Sequence, residues 1–251
     1  QSPQFYKQMA MAAGLEKIFE VGPVFRANPS FTSRHDTEFT MYDIEISFIE
    51  SHQDVMKEEQ EAIAYALGRV EKEYGEQIEQ LYGRKLVVPK LPFPQVTMKE
   101  AKEILAGLGV PKEKEGDLSP EEERRLGQYI LETKGHEFVF VTDYPIEERP
   151  FYHMRYESDP KITKSFDLLW NGLEITTGAQ REHRLDVLQK QSIEKGLTLK
   201  SIQFYLDFFR FGCPPHGGCA LGPSRMLMKI FNIPNVREVT YLYRGINRLN
   251  P

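Results

Sequence analysis

A cation-rich polar loop separates two runs of alternating apolar residues near the start of the chain. Arg26, Arg34 and His35 lie in or beside this loop, and Asp43 and Glu45 follow it two residues apart. The alternation predicts two antiparallel strands, so Asp43 and Glu45 should point to one face of the returning strand. A cationic loop above an acidic strand face suits a polyanion, a bound metal and an ammonium group. A solvated hairpin with ordinary surface charges is the alternative interpretation.

A second acidic pair flanks a predicted hairpin turn later in the chain. Asn171-Gly172 is a two-residue turn signal between strand-like runs, with Asp167 before it and Glu174 after it. The two carboxylates could meet across the paired strands, where they would repel each other unless a cation lay between them. Mg²⁺ with a polyphosphate fits such a place, because this ion binds few carboxylates and keeps phosphate and water ligands. An exposed pair without metal is the alternative.

The composition restricts the class of protein. The chain has 251 residues, 40% of them apolar, so it can bury a core as one large domain or a domain with an insertion. A net charge of −5 gives no basic footprint for a nucleic acid, although a local basic patch is compatible with it. Two cysteines, no signal-like start and no apolar run near about 18 residues predict a cytoplasmic protein that does not enter a membrane.

The first loop and its strands resemble motif 2 of the class II aminoacyl-tRNA synthetases. Phe25-Arg26-Ala27 is followed by Thr32-Ser33-Arg34-His35 and by Glu38-Phe39, as in the archaeal-type aspartyl branch. The run from Gly172 to His183 resembles that branch nearly residue for residue. The resemblance covers residues 1–83 and 136–251, with several long motifs in the family's order.

The resemblance implies a pocket for L-aspartate. Ser2-Pro3-Gln4 with Tyr6-Lys7-Gln8 matches the aspartyl pattern, in which Gln4 and Lys7 bind the amino acid. It assigns Arg181 to the side-chain carboxylate, which a planar guanidinium can grip with two hydrogen bonds, and Asp43 to the ammonium group. Lys7 and Arg181 together would make a doubly cationic pocket. Such a pocket favours aspartate over asparagine, which would leave the cations without a counter-charge.

The resemblance also implies ATP as a substrate and Mg²⁺ as the metal. It gives Arg26 the catalytic role of neutralising charge that develops on the reacting phosphate. Glu174, with Asp167 or Thr177, would hold Mg²⁺. The ATP-binding residues that it implies are Arg26, Arg34, His35, Glu38, Phe39, Glu174, Arg225 and Arg244.

A glycine-rich segment near the C-terminus has two interpretations. Cys213, His216 and Cys219 have a spacing that could hold zinc, although no fourth ligand is evident. The favoured interpretation is a resemblance to motif 3, because Pro-Pro-His-Gly-Gly leads into a predicted strand and an arginine-led helix. Glycines let the backbone approach a nucleotide closely, and Arg225 would then stack on adenine.

The resemblance implies an α+β fold, the class II synthetase catalytic domain with an antiparallel sheet flanked by helices. It would extend over residues 1–251, with residues 84–135 as a helical insertion that holds two capped helices. An N-terminal anticodon-binding domain and motif 1, which builds the family's dimer interface, are expected to be absent from this chain. The intact protein is expected to be a homodimer.

Two apolar sets are predicted to be core. The helix predicted from residue 51 to Gly83 carries one stripe at helical spacing. A second predicted helix over residues 200–211 carries aromatic residues. The two sets are Val55, Ile63, Leu67, Val70, Tyr74, Ile78 and Leu81, and Phe204, Tyr205, Phe208 and Phe209.

Two residues depart from the family pattern at the nucleotide end. Asn28 stands where motif 2 usually has glutamate, and Ser224 stands where motif 3 usually has glutamate. We therefore predict a divergent but active aspartate–tRNA ligase that charges tRNA(Asp) or both tRNA(Asp) and tRNA(Asn). The alternatives are an asparagine synthetase that uses the same aspartyl-adenylate, and a silent binding module.

Overall fold

Seven runs of residues form one sheet in the computed structural model, which describes residues 2–27, 32–248 and 250. The strands lie side by side in the order β1-β2-β7-β6-β5-β4-β3. All neighbours are antiparallel except β3 and β4, which are parallel. The strands are β1 (Lys17–Phe25), β2 (Glu38–Ser47), β3 (Gln95–Thr97), β4 (Phe138–Thr142), β5 (Ser165–Trp170), β6 (Leu173–Gln180) and β7 (His216–Leu221).

Helices cover both faces of the sheet, as predicted. Their order along the chain is α1 (Gln4–Ala12), α2 (His52–Tyr82), α3 (Met98–Gly107), α4 (Pro120–Lys134), α5 (Leu185–Glu194), α6 (Gln203–Leu206), α7 (Pro223–Ile230) and α8 (Val236–Val239). In the part of the chain that the structure describes, we find no helix with the length and apolar character needed to cross a membrane.

The segment 84–135 contains both of its predicted helices. Thr97 and Ser119 cap α3 and α4 through complete capping boxes, as their sequences predict. The segment also supplies β3, which extends the sheet beside β4. A strand of three residues is too short for an alternating pattern to reveal. That the segment is an insertion relative to the wider family stays a prediction.

The hairpin of β1 and β2 has the predicted division of faces. Asp43 and Glu45 are buried on one face. Ile46 and the partly buried Ile44 lie on the other face, in the core that α2 covers. Because this core fills the α2 side, the polar side chains of β2 are left to face a cavity on the opposite side.

The long helix α2 is delimited by the residues that the sequence indicated. Ser51 accepts a hydrogen bond at its start, and Gly83 ends it with a left-handed φ of 63°. Ile63, Leu67 and Ile78 are buried as predicted, but Tyr74 and Leu81 are exposed, so the prediction is wrong for these two residues. A helix of 31 residues is about 46 Å long and extends beyond the sheet that it packs against.

The aromatic segment near residue 200 is also less regular than predicted. A 3₁₀ turn, the short helix α6 and a second 3₁₀ turn replace one continuous helix. Tyr205 and Phe209 are buried as predicted, whereas Phe204 and Phe208 are largely exposed. The broken helical path changes which side chains face inward, so the prediction is wrong for these two residues.

A buried acid on α2 makes the stability of the fold depend on pH. Glu59 is fully buried beside Thr176 and Cys219, and burial raises the pKa of its carboxyl group to about 8 from an ordinary 4.5. The folded protein therefore holds a proton that the unfolded chain releases above pH 4.5. Stability should be highest below pH 4.5 as far as this group is concerned, and should fall as pH rises towards 8.

Replacing Glu59 with glutamine should remove this pH dependence, because the amide cannot ionise. We expect Glu59→Gln to be more stable than the unmodified protein at pH 8, by on the order of 3 kcal/mol, and equally stable at pH 4.5. Urea unfolding at the two pH values measures the difference. Glu58→Gln, at the neighbouring exposed residue, should change neither value. A Glu59→Gln protein that is less stable than its parent at pH 8 would contradict the raised pKa of Glu59.

Candidate functional site

A cavity of about 270 Å³ opens on the face of the sheet opposite α2. Side chains from α1, from the loop before β2 and from the central strands line it. Ten of the fourteen predicted site residues are among them, namely Gln4, Arg26, Arg34, His35, Phe39, Asp43, Glu174, Thr177, Arg181 and Arg225. The sheet has therefore brought together residues that lie up to 221 positions apart in the sequence.

The strand register explains how the floor of the cavity is formed. Asp43, Ala220, Thr177 and Asp167 lie side by side on β2, β7, β6 and β5. In the next row Glu45 lies beside Gly218. A Cβ atom at residue 218 would come within 2.7 Å of the Glu45 carboxyl carbon, so only glycine leaves Glu45 in place.

Four charged side chains form a buried cluster at the end of the cavity where the sequence predicted amino-acid binding. The Lys7 ammonium lies 3.1 Å from an Asp43 oxygen and 3.3 Å from a Glu45 oxygen. The Arg181 Nε lies 3.0 Å from the other Glu45 oxygen. Each of the four side chains is at most 4% exposed. Burial alone would raise the pKa of Glu45, but Arg181 and Lys7 outweigh it and lower that pKa.

Glu45 changes the expected charge of this pocket. The sequence identified Lys7 and Arg181 as an unopposed pair of cations, whereas both contact Glu45 in the structure. With Asp43 included, two cations face two carboxylates and the cluster carries no net charge. The structure brings the two cations together on Glu45, and they do not form a doubly positive pocket; their contact with aspartate stays a prediction.

Arg181 is held on several sides. Its Nε and Nη2 donate to Glu45, Nη2 also donates to the Gly218 carbonyl at 2.9 Å, and Nη1 donates to His153 Nε2 at 3.1 Å. The Tyr152 ring centroid lies 5.7 Å from the guanidinium carbon. Only one of the five N–H groups of an arginine is left without a partner in this arrangement.

His153 is a site residue that the sequence did not identify. It is buried, lines the cavity, and accepts a hydrogen bond from Arg181, so the ring is neutral. Burial and then the Arg181 charge hold the pKa of His153 well below its ordinary value. No local pattern marks this histidine, because its contact with Arg181 spans 28 residues.

A second group of contacts forms the other end of the cavity. Arg225 Nη1 donates to the Glu174 carbonyl at 2.7 Å and lies 3.5 Å from the Glu174 carboxylate. Thr177 donates to the same carboxylate at 3.1 Å. Arg225 Nη2 also lies 3.4 Å from His35 Nε2. These four residues were all predicted to lie at the nucleotide end, and the structure places them together.

Asp167 and Glu174 do not face each other across the hairpin as the sequence suggested. The register pairs Glu174 with Leu169, as the two-residue turn requires, and pairs Asp167 with Thr177. A β-bulge between Leu168 and Leu169 shifts the partner of Asp167 by one residue. The same bulge brings Glu174 and Thr177, three residues apart, to one face of the sheet.

Asp167 lies behind the cavity with a cation of its own. Arg149 donates to its Oδ2 at 2.7 Å, while its Oδ1 is buried and has no hydrogen-bond partner in the described protein. Burial raises the pKa of Asp167, and Arg149 opposes that shift. The expected repulsion between two facing carboxylates is thus replaced by a buried ion pair.

The comparison with known families decides the family. A model described as tRNA synthetases class II (D, K and N) matches residues 1–244. This chain belongs to the class II tRNA synthetases. The match runs through residues 84–135, which the resemblance in the sequence had left out.

Archaeal ligases are among the curated relatives of this class II chain. The aspartate–tRNA(Asp) ligase of Pyrococcus abyssi is 46% identical over 251 residues, and the aspartate–tRNA(Asp/Asn) ligase of Aeropyrum pernix is 47% identical over 255. Each match covers 100% of this chain and 57% of the relative. The class II chain therefore spans a little over half the length of these relatives.

Solved structures share the fold over the whole class II chain. An aspartyl-tRNA synthetase from Entamoeba histolytica matches with a TM-score of 0.93 at 38% identity, covering 100% of this chain and 52% of that one. An asparaginyl-tRNA synthetase from Pyrococcus horikoshii, complexed with asparaginyl-adenylate, matches with a TM-score of 0.91 at 32% identity and covers 100% and 57%. The predicted class II fold is confirmed.

Four predicted residues do not line the cavity of this class II chain. Lys7 contacts Asp43, and Asp167 lies beside Thr177 on the next strand, but neither Lys7 nor Asp167 is among the residues that line the cavity. Glu38 and Arg244 lie outside the cavity, where Arg244 Nη1 is 3.6 Å from a Glu38 oxygen. The structure thus places these two predicted ATP-binding residues next to each other, and their contact with ATP stays a prediction.

The two departures from the family pattern have different outcomes. Ser224 lines the cavity beside Arg225, so it lies where the prediction placed it. Asn28 lies outside the described residues. Its effect on nucleotide binding stays a prediction.

The structure bears differently on the zinc site and the Mg²⁺ site suggested by the sequence. Within residues 2–27, 32–248 and 250, no three His, Cys, Asp or Glu side chains cluster to hold a metal by themselves. Cys219 belongs to the core on the α2 side, away from Cys213 and His216, so the zinc interpretation finds no support. Glu174, Thr177 and the unpartnered Asp167 oxygen are all oxygen donors near the cavity and fit Mg²⁺, which completes its shell with phosphate and water.

Proposed function

We propose that this chain is the catalytic part of an aspartate–tRNA ligase, which uses ATP to convert L-aspartate to aspartyl-adenylate, with release of pyrophosphate, and then transfers the aspartyl group to tRNA. The observation that carries the proposal is the convergence of Lys7 and Arg181 on Glu45, beside Asp43. This cluster adjoins the cationic end formed by Arg26, Arg34 and Arg225 in one cavity. The names of the curated relatives support the same substrates.

The charge count of the occupied pocket supports aspartate over asparagine. The substrate ammonium would join Lys7 and Arg181 as a third positive charge, against Asp43 and Glu45. In the proposed reaction the α-carboxylate of either amino acid is turned towards the reacting phosphate, so it is not counted at this cluster. The side-chain carboxylate of aspartate then supplies the third negative charge here, whereas the amide of asparagine does not. An uncompensated buried charge costs on the order of several kcal/mol, which is enough to exclude asparagine.

In the proposed reaction the chain acts by positioning and electrostatics. An α-carboxylate oxygen of aspartate attacks the α-phosphorus of ATP, the bond to the bridging oxygen breaks, and pyrophosphate leaves. Arg26 lies at the cavity with its guanidinium 5.2 Å from the Phe39 ring centroid, where it can neutralise charge on the reacting phosphate. A ribose hydroxyl of the terminal tRNA adenosine then attacks the aspartyl carbonyl and AMP leaves.

Mg²⁺ would bind at the pyrophosphate side of this cavity. Glu174 and Thr177 would hold it, with the unpartnered oxygen of Asp167 behind them. When bound, the ion would neutralise phosphate charge and help pyrophosphate leave. His35 and His216 are assigned to ordering loops, and the His216 Nδ1 lies 2.9 Å from the Pro214 carbonyl oxygen.

Replacing Glu174 with glutamine should weaken Mg²⁺ binding while leaving the fold intact, because its side chain is partly exposed. We expect the Mg²⁺ concentration for half-maximal activity to rise roughly tenfold to hundredfold. A titration of pyrophosphate exchange against Mg²⁺ measures the change. Glu157→Gln, at a largely exposed carboxylate, is the matched control and should behave as the parent. An unchanged requirement in Glu174→Gln would remove Glu174 from the metal site.

The intact protein is proposed to be a cytoplasmic homodimer that charges tRNA(Asp) and, in the non-discriminating case, tRNA(Asn). The edge strand β1 supports the dimer, because Phe19, Val21 and Phe25 are more than half exposed on it. Relatives include both an Asp and an Asp/Asn ligase, so both tRNA specificities stay within the proposal.

Aspartate-dependent exchange of pyrophosphate into ATP tests the proposed chemistry. We expect exchange with aspartate and little with asparagine, followed by charging of tRNA(Asp) by the full-length protein. Exchange with ammonia-dependent formation of free asparagine would instead select an asparagine synthetase. Binding of ATP and aspartate without exchange would leave a silent binding module.

A further inference from the structure

The segment 84–135 reaches the nucleotide end of the cavity through one ion pair. Glu123 lies in the first turns of α4, and its Oε2 is 2.9 Å from Arg34 Nη1. The Glu123 side chain is 9% exposed and that of Arg34 is 18% exposed, so water screens the pair only partly. Arg34 lines the cavity while it is paired.

The backbone around Glu123 is firmly placed. Ser119 caps α4, and the Glu123 amide donates to the Ser119 carbonyl at 2.9 Å. The helix presses on the turn between β5 and β6, where a Cβ atom at Gly172 would lie 2.6 Å from the Arg124 Cα. Because this turn leads directly to Glu174, its contact with α4 fixes the position of α4 relative to the nucleotide end of the cavity.

The surroundings of the Glu123 carboxylate favour its ion pair with Arg34. Burial raises its pKa to about 7, Arg34 opposes that rise, and the nearby Glu174 adds to it. A carboxylate in this environment is stabilised when a guanidinium stays beside it. Arg34, in turn, lies on the loop that leads into β2 and would be free to take other rotamers without Glu123.

We propose that Glu123 is a positioning residue that holds the Arg34 guanidinium at the nucleotide end before ATP arrives. The proposal rests on the assignment of Arg34 to ATP in the proposed function. The contact uses Nη1, which leaves Nε and Nη2 to donate to phosphate oxygens. Arg34 therefore binds the phosphates of ATP without leaving Glu123, and its side chain is ordered in advance.

The test compares ATP binding and exchange kinetics in four variants. Glu123→Gln keeps the shape of the side chain and removes the charge, so we expect the Kd and the KM for ATP to rise about tenfold. The KM for aspartate and kcat should stay within about twofold, because the phosphate contact is similar in the ground state and the transition state. Glu121→Gln is the matched control, since this exposed residue of the same turn pairs with Arg124.

The double variant separates positioning from a general structural role. If Glu123 acts through Arg34, then Arg34→Ala with Glu123→Gln should bind ATP no more weakly than Arg34→Ala alone. Calorimetric titration with ATP measures this directly, and thermal unfolding reports whether each variant is folded.

Three results would overturn the inference. They are an unchanged ATP affinity in Glu123→Gln, a parallel loss of ATP and aspartate affinity with a lower Tm, and additive losses in the double variant. Failure of the proposed function is visible separately, because a protein that binds ATP but exchanges no pyrophosphate still gives the titration result. A protein that binds no ATP would refute both.

Discussion

Replacing Arg26 with alanine is expected to lower kcat for aspartate-dependent pyrophosphate exchange by about 10²- to 10³-fold. A preorganised donor at a developing oxyanion typically contributes this much. Arg26 follows β1, and its amide donates to the Thr37 carbonyl at 2.9 Å, so the backbone fixes where its side chain starts. The residue is exposed, and the described part of the chain places no carboxylate within 4 Å of it, so the substitution should not destabilise the fold. Initial-rate exchange at saturating ATP and aspartate measures the effect.

Two controls make the Arg26 result specific. Arg26→Lys keeps a positive charge and should recover part of the rate, but not the geometry of a planar guanidinium. Arg69→Ala removes an exposed arginine from α2, far from the cavity, and should leave the rate unchanged. If Arg26→Ala mainly raised KM for ATP and kept kcat, Arg26 would be a binding residue and not a catalytic one.

The second large effect concerns the buried charge cluster. Replacing Arg181 with methionine should destabilise the fold by about 3–5 kcal/mol, because it removes the main cation that compensates Glu45. A second substitution, Glu45→Gln, removes that carboxylate as well and should restore much of the stability. Aspartate activation should stay lost in the double variant, because the partner of the substrate carboxylate is still missing. Urea unfolding and exchange kinetics, measured on the same proteins, separate the two roles.

The comparison between single and double variants decides whether Arg181 does more than balance a charge. If the double variant regained both stability and aspartate activation, Arg181 would serve only to neutralise Glu45. The pair Arg69 and Glu73 offers a control of the same chemistry at the surface. Arg69→Met should cost about 1 kcal/mol or less and leave aspartate activation unchanged.

Local sequence patterns predicted the strands and helices that carry the site, and many of the residues in it. Alternation in β2 was enough to place Asp43 and Glu45 on one face, and the capping residues Ser51, Thr97 and Ser119 marked three helix starts. These signals depend on neighbours a few residues away, so they can be read from the chain itself.

Pairing between distant residues could not be predicted in the same way. Glu45 and Arg181 are 136 residues apart, and Glu123 lies on a helix that showed no chemistry in its own sequence. The sequence indicated which side chains are charged, but their partners depend on how the strands are ordered in the sheet.

The register of the β5–β6 pair was the second feature that the sequence could not predict. A single bulge between Leu168 and Leu169 shifted the partner of Asp167 by one residue and brought Glu174 and Thr177 to one face of the sheet. An extra residue of this kind leaves the hydrophobic pattern almost unchanged, yet it alters every cross-strand pair beyond it.

The neutrality of the four-residue cluster affects how a small acid reaches this pocket. An unopposed pair of cations would attract the two carboxylates of aspartate through the solvent and would speed its binding at low ionic strength. Lys7, Asp43, Glu45 and Arg181 instead cancel each other before the substrate comes. The cluster itself therefore adds no attraction for the side-chain carboxylate from a distance, and it discriminates between the two amino acids only after the molecule has entered and shed its water.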